Sequence, residues 1–257
     1  MVVPKLGSPS GVTRYRARVE YDGTNFCGFQ RQRNGFSTIQ GELESVLTNL
    51  AHYPVSLTGA GRTDSGVHAL GQVISFKIEW RHGAGALQRA MNANLPEDIA
   101  VKSLEETADS FHPRFDARRR GYVYHVYNMP VRSPIHRNHS WHSARRLDLG
   151  EMNKAAACLI GRQDFATFGL PPQGDSTVRE VFNAQWKEER PFLAFHIEAN
   201  AFLYRMVRSL VGSLVAVGTG AWSVDVFNAA FLERNRNRSA AAAPPQGLFL
   251  ASVNYED

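Results

Sequence analysis

The sequence predicts an α+β fold, and two observations carry this prediction. Apolar residues alternate along several short runs, as in half-buried strands, and recur at helical spacing in the runs between them. The resulting order is β-α-β-β-α-β, and it occurs twice along the 257 residues. Because this order is typical of the ferredoxin-like motif, we expect two fused ferredoxin-like halves. Their antiparallel sheets are expected to join around a central cleft.

The N-terminal half is expected over residues 14–110, after a flexible tail at residues 1–13. Its strands are predicted at 14–21, 55–58, 72–79 and 99–105, and its helices at 39–50 and 84–93. Ser37 and Gln40 have the spacing of a capping box, which predicts where the first helix begins.

The C-terminal half is expected over residues 111–257. Its strands are predicted at 120–128, 177–187, 192–200 and 247–255, and its helices at 149–160, 203–217 and 224–232. The segment 233–245, with three arginines, four consecutive alanines and two prolines, is predicted to be an exposed, mobile loop. Cys158 is predicted to be a buried helix residue.

Composition excludes several classes of protein. With 43% hydrophobic and 21% charged residues, the chain has the composition of a soluble globular protein. No apolar run reaches the roughly 20 residues of a membrane span, and the N-terminus lacks a signal-peptide core. Cys27 and Cys158 lack partners at metal-ligand spacing. We therefore expect a cytoplasmic protein with no membrane contact, no zinc site and no disulfide.

Arginine dominates the positive charge of the chain. Of the 29 basic residues, 24 are arginine, and they occur in clusters interleaved with aromatic residues. Arginine binds phosphates through paired hydrogen bonds and stacks on bases. A sequence pI near 9.4 built from arginine therefore favours a nucleic-acid partner.

A glycine-rich stretch at residues 59–69 surrounds Asp64. Its spacing fits neither a dinucleotide fingerprint nor a phosphate loop, and Thr63 and Val67 stand where a nucleophile elbow around Ser65 needs glycines. Asp64 could simply bond to the backbone of its own turn. Alternatively, it is a nucleophile or a general base. His68, four residues on, could orient it or bond to backbone in its own loop.

A catalytic carboxylate needs a nearby cation, and the sequence offers two. Arg62 is on the same loop. Arg208 interrupts the apolar segment 206–214, where its charge would be costly without a carboxylate partner. The alternative is that Arg208 extends along the helix flank to reach solvent.

The stretch 61–69, Gly-Arg-Thr-Asp-Ser-Gly-Val-His-Ala, resembles the catalytic motif of the tRNA pseudouridine synthase A (TruA) family. Further similar segments run along nearly the whole chain: Tyr21-Asp22-Gly23-Thr24, Gln30-Arg31-Gln32, Gln40-Gly41-Glu42-Leu43-Glu44, Asn94-Leu95-Pro96, Phe111-His112, Arg114-Phe115, Tyr122-Val123-Tyr124, Asp164-Phe165, 202–208 and 243–248. In one place the sequence departs from the pattern, because Gly121 stands where a larger residue is expected.

This resemblance implies roles for individual residues. Asp64 is the catalytic nucleophile, and Arg208 forms an ion pair with it. Tyr122 packs on the target uracil, Arg62 helps to displace the base, and Leu248 lines the uracil pocket. The remaining loop residues that would support Asp64 are Gly61, Thr63, Ser65, Gly66 and His68.

The resemblance also implies an activity and partners. The reaction converts uridine to pseudouridine at positions 38, 39 and 40 in the anticodon arm of tRNA. The enzyme is expected to be a homodimer that holds the tRNA body in basic clefts, without metal or organic cofactor. Two alternatives stay open on sequence grounds. One is an RNA-binding protein without catalysis. The other is a hydrolase in which Asp64 is a general base.

Overall fold

A computed structural model describes residues 11–33, 35–171 and 174–256, and it confirms the predicted α+β class. Most of the predicted tail therefore lies outside the described residues, whereas Val12 and Thr13 already belong to the first strand. Within the part of the chain that the structure describes, no helix combines the length and apolar character needed to cross a membrane.

The N-terminal half has the predicted order of elements. They are β1 (Val12–Tyr21), α1 (Ile39–Ala51), β2 (Leu57–Gly59), β3 (His68–Glu79), α2 (Ala84–Asn94) and β4 (Ile99–Glu106). Strand β3 begins four residues earlier than predicted, so His68 belongs to a strand rather than to the preceding loop.

The C-terminal half repeats this order with short additions. Its elements are β5 (Arg119–Tyr127), β6 (Trp141–His142), α3 (Leu149–Ala157), β7 (Gly161–Asp164), β8 (Val178–Glu189), β9 (Phe192–Ala199), α4 (Met206–Gly218), α5 (Val224–Leu232) and β10 (Leu248–Asn254). Helix α4 starts three residues later than predicted, because Arg205 has a φ of 60°, which lies outside the right-handed helical region.

The two halves form one sheet with the strand order β4-β1-β3-β10-β5-β9-β8-β7, while β2 pairs with β3 and β6 with β5. Neighbouring strands of the main order are antiparallel except at the central join. There β3 and β10 run parallel, with Phe249 opposite His68 and Leu250 opposite Ala69. The start of β3 therefore lies at the seam between the halves.

Two apolar cores stabilise the halves, one on each side of this seam. In β1 the alternate residues Tyr15, Ala17 and Val19 are buried with Leu43 and Leu47 of α1. The C-terminal core is larger and packs α3, α4 and α5 against β5, β8 and β9. Tyr122 contacts both cores, so it lies between the two halves.

The predicted capping box of α1 is wrong. Thr38 is the N-cap, and its hydroxyl accepts a hydrogen bond from the Gly41 N–H. The Ser37 hydroxyl donates instead to Glu42 at 3.1 Å, and Gln40 donates to Glu44 at 2.9 Å. Ser37 fits the capping-box spacing because Gln40 lies three residues on, but Thr38 is the residue that directly precedes the first helical residue.

The prediction that segment 233–245 is wholly exposed is also wrong. Its first residues are exposed, but Ala243 is only 1% exposed and its N–H donates to the Arg208 carbonyl at 2.9 Å. Gly212 of α4 permits this packing, because a Cβ there would collide with the Ala241 carbonyl. Composition predicted exposure, whereas the small residues allow the segment to pack against α4.

Two further local features differ from the sequence expectations. Helix α3 ends at Ala157, so Cys158 is its capping residue and is only partly buried, contrary to the prediction. Gly121 lies opposite Ser252 of β10, and a Cβ at Gly121 would lie 2.7 Å from the Ser252 hydroxyl oxygen. The unexpected glycine therefore accommodates the close approach of β10.

Replacing Thr38 with Ala is expected to lower the free energy of unfolding by about 1 kcal/mol, because the Gly41 N–H loses its cap. Urea denaturation measures this change. Ser37→Ala is the matched control, and its effect is expected to stay within about 0.5 kcal/mol, since Ser37 is exposed. A larger loss in S37A than in T38A would contradict this assignment of the cap.

Candidate active site

The loop between β2 and β3 carries Asp64 at the seam. Its turn closes through a hydrogen bond from the Val67 N–H to the Asp64 carbonyl at 3.1 Å, across Gly66. Gly66 has a φ of 75°, a conformation that glycine adopts without steric cost. The sequence therefore fixes the backbone around Asp64 through one glycine in a left-handed conformation.

The end of β1 and the segment that follows it form hydrogen bonds with this loop. The Phe29 N–H donates to the Thr63 carbonyl at 3.1 Å, and the hydroxyls of Tyr21 and Thr63 lie 2.8 Å apart. Ser65 donates to the Phe26 carbonyl at 3.1 Å. Ser65 and Thr63 are thus held by the motif that begins at Tyr21.

Gln72 is a second support, and sequence reasoning missed it. Its side chain is fully buried, and its amide donates to the Gly61 carbonyl at 2.9 Å. Its position in β3, outside the motif, gave no signal in the sequence. The amide fixes the loop one residue before Arg62, whose own side chain is exposed.

Asp64 and Arg208 form an ion pair across the seam. Arg208 Nη1 lies 2.9 Å from Asp64 Oδ2, and the two side chains are 13% and 24% exposed respectively. Arg208 Nε donates to the Ala243 carbonyl at 2.8 Å, which fixes the plane of the guanidinium. The ion pair that the resemblance implied is therefore present in the structure, whereas the exposed helix-flank alternative does not apply.

An aromatic wall borders the pair. The rings of Tyr122 and Phe202 meet edge to face, with centroids 4.9 Å apart, and the Tyr122 hydroxyl lies close to Gly61. Burial raises the pKa of Tyr122 to about 12, and the nearby Asp64 charge acts in the same direction. Tyr122 thus presents a neutral phenol to the region between Gly61 and Asp64.

Tyr124 and Leu248 lie deeper, on the same side of the sheet. Tyr124 is fully buried, and its hydroxyl donates to the Pro244 carbonyl at 2.8 Å. Leu248 is opposite Tyr124 in the pairing of β5 with β10 and is 6% exposed. Leu248 and Tyr124 belong to the apolar core against which Tyr122 packs.

His68 supports the seam and is not bonded to Asp64. Its Nδ1 accepts from the Gly23 N–H at 3.0 Å, and its Nε2 lies 3.2 Å from the Gln246 carbonyl oxygen. A neutral ring that carries its proton on Nε2 satisfies these two contacts, while Asp22 Oδ1 also lies 3.0 Å from Nδ1. Burial lowers the pKa of His68, although the Asp22 charge acts in the opposite direction.

His68 and two other residues form a group of potential metal ligands. Atoms of Asp22, His68 and His139 lie within 4.8 Å of one another. However, the Gly23 N–H already occupies Nδ1 of His68, and His139 Nε2 lies 2.8 Å from Asp22 Oδ2. Hydrogen bonds within the protein therefore already engage His68 Nδ1 and His139 Nε2. The search for ligands at short spacing in the sequence could not find this cluster, because its three members are far apart in the sequence.

The geometry defines a carboxylate–guanidinium pair beside an aromatic wall, and comparison with known proteins assigns the class. Residues 17–116 and 155–256 match a family described as tRNA pseudouridine synthase. The chain is 41% identical over 245 residues to a tRNA pseudouridine synthase A of Neisseria meningitidis serogroup C, covering 95% of this chain and 92% of the relative.

A relative from Thermoanaerobacter sp. strain X514, also named tRNA pseudouridine synthase A, is 41% identical over 238 residues. This match covers 92% of this chain and 97% of the relative. A third, from Paraburkholderia phymatum, is 40% identical over 247 residues, covering 96% and 92% respectively. The chain thus belongs to the tRNA pseudouridine synthase A family.

Lowering the pH is expected to destabilise the protein through His68. The unfolded chain takes up a proton on this imidazole near its ordinary pKa of about 6.5, whereas the folded protein does so only at lower pH. The unfolded state then binds more protons, so the free energy of unfolding falls as the pH decreases below about 6.5.

Urea denaturation of the wild-type protein and His68→Gln at a series of pH values from 7 to 5 measures this contribution. H68Q is expected to show a smaller loss of stability over this range. His82→Gln is the control, because His82 is exposed and H82Q is expected to retain the wild-type dependence. Equal slopes for H68Q and the wild type would contradict the contribution of His68.

Proposed function

We propose that this protein isomerises uridine to pseudouridine in tRNA, with Asp64 as the catalytic nucleophile. The observation that carries the proposal is the Asp64–Arg208 pair at 2.9 Å, beside the Tyr122 wall, in a chain of this family. A carboxylate at this position is partly exposed, so a substrate can reach it. Arg208 Nη1 donates a hydrogen bond to its Oδ2 at 2.9 Å.

The reaction breaks the N1–C1′ bond, turns the uracil within the site and joins C5 to C1′. N1 gains a proton and C5 loses one, so the product has the composition of the substrate. Asp64 could attack C1′, remove the 2′ proton to give a glycal, or add to C6 of the base. Each of these routes uses the carboxylate that Arg208 holds by a hydrogen bond.

The target base must leave its stack before it can reach Asp64, and unstacking costs a few kcal/mol. Tyr122 would pack against the extruded uracil, and Leu248 would line the pocket. The exposed Arg62 would help to displace the base. Gly61, Thr63, Ser65, Gly66 and His68 would hold the loop in place, as their contacts with the surrounding segments support.

The substrate is proposed to be the anticodon arm, at positions 38, 39 and 40, with arginine-rich surfaces that hold the tRNA body. Adjacent targets require the body to be held by phosphate contacts while the arm adapts. We further propose a homodimer, the two halves at residues 14–110 and 111–257, and a cytoplasmic location. No metal or organic cofactor enters this chemistry.

Asp64→Asn is expected to abolish pseudouridine formation while the Kd for tRNA stays within a few fold, because the amide keeps the shape but loses the charge. Chemical labelling of pseudouridine in tRNA measures turnover, and filter binding measures the Kd. Asp225→Asn, at an exposed position in α5, is the control and is expected to retain activity.

Full activity in D64N would contradict the role of Asp64. Wild-type protein that binds tRNA but forms no pseudouridine would favour RNA binding without catalysis. Release of uracil would indicate a hydrolase instead.

Raising the salt concentration is expected to weaken tRNA binding strongly. Because each phosphate contact releases counterions, the Kd should rise about tenfold or more between about 50 mM and about 200 mM salt. Filter binding with full-length tRNA at constant pH measures the slope. A Kd that barely changes over this range would contradict phosphate contacts as the source of affinity.

A further inference from the structure

A phenylalanine is exposed on the turn that joins the two halves. Phe115 is 69% exposed, and among the described residues it is the most exposed aromatic side chain. An exposed aromatic ring offers a face on which a base can stack. The roles proposed above do not involve Phe115, although it belongs to the 111–115 motif.

Four hydrogen bonds between His112 and residues 114–116 hold the turn around Phe115. His112 Nδ1 lies 3.2 Å from the backbone nitrogens of both Arg114 and Phe115 and accepts from them. The backbone N–H of His112 donates to Asp116 Oδ2 at 2.9 Å, and the Asp116 N–H donates back to the His112 carbonyl at 3.1 Å. The ring is therefore presented in a fixed orientation.

One face of the Phe115 ring is already covered. The His112 imidazole stacks on it, with ring centroids 4.2 Å apart and an angle of 30° between the planes. The guanidinium of Arg114 lies 5.6 Å from the ring centroid. The large exposed fraction leaves the remaining ring surface open to solvent, next to a positive charge.

Arg120 connects this turn to the catalytic loop. Its Nη2 donates to the Arg114 carbonyl and, at 3.4 Å, to the carbonyl of Ala60, four residues before Asp64. Its Nη1 donates to the Asn200 carbonyl at 2.8 Å. The guanidinium thus fixes the position of the exposed ring relative to the loop of Asp64.

We propose that Phe115, supported by His112 and Arg114, is a stacking platform for an unpaired base of the tRNA close to the target uridine. Unpaired bases stack on aromatic rings and arginine planes, and Arg114 lies where it can also contact a phosphate. An apolar protein surface is a poorer fit, because the Arg114 guanidinium lies beside the ring and the exposed Asp116 and Arg118 are near it in sequence. The inference rests on the proposed function.

Phe115→Ala is expected to raise the Kd and KM for tRNA about tenfold, while kcat changes less than threefold. Phe115→Trp keeps a stacking surface and is expected to restore binding. Leu232→Ala is the matched control, since Leu232 is 75% exposed on α5, and it should behave as the wild type. Circular dichroism melting verifies that each variant is folded.

A stem-loop RNA with 2-aminopurine beside the target uridine reports stacking directly. Wild-type protein and F115W are expected to quench its fluorescence, and F115A to leave it unquenched. A Kd for F115A within twofold of the wild type, or equal losses in F115A and F115W, would overturn the platform. Wild-type quenching without pseudouridine formation would refute the proposed activity while retaining the platform.

Discussion

The ion pair between Asp64 and Arg208 is the interaction on which the rest of the site depends. Its members come from different halves of the chain, and both side chains are mostly withdrawn from water. Removing either partner would leave a partly buried charge without compensation, which costs more than the pair contributes. The pair therefore persists only if the two halves are held in register to within a hydrogen-bond length.

The parallel pairing of β3 with β10 provides this register. It places Phe249 opposite His68, where their rings stack with centroids 4.6 Å apart. His68 also bonds to Gln246, just before β10, and Ala243 bonds to Arg208 through both its N–H and its carbonyl. The short segment from Ala243 to Phe249 thus contacts both the Arg208 guanidinium and the start of β3.

Much of this arrangement follows from the sequence. The periodicity of apolar residues predicted the two β-α-β-β-α-β units, because burial of one face imposes it on every strand and helix. The helical pattern left two interpretations of Arg208 open, and the pairing with Asp64 followed from the resemblance to the family rather than from the apolar helix. The glycines around Asp64 indicated an unusual backbone, and Gly66 adopts it.

Other features depend on which segments meet, and local patterns carry no information about that. Composition indicated that segment 233–245 is exposed, yet Ala243 packs against α4, because Gly212 leaves room for the neighbouring backbone. Gln72 supports Gly61 across a strand pairing. Ser37 and Thr38 offer similar hydroxyls, and only the first turn of α1 distinguishes them.

Gly121 illustrates how the seam constrains the sequence. A side chain there would meet Ser252, at the point where the pairing of β5 with β10 shifts its register between Leu250 and Ser252. The shift allows Leu248 to stay opposite Tyr124 while the far end of β10 still pairs with Arg119 and Arg120. Arg120 in turn bonds to Ala60 and Arg114. The glycine therefore lets one strand pair with Tyr124 at one end and approach the turn that presents Phe115 at the other, where the Arg118 N–H donates to the Asn254 carbonyl.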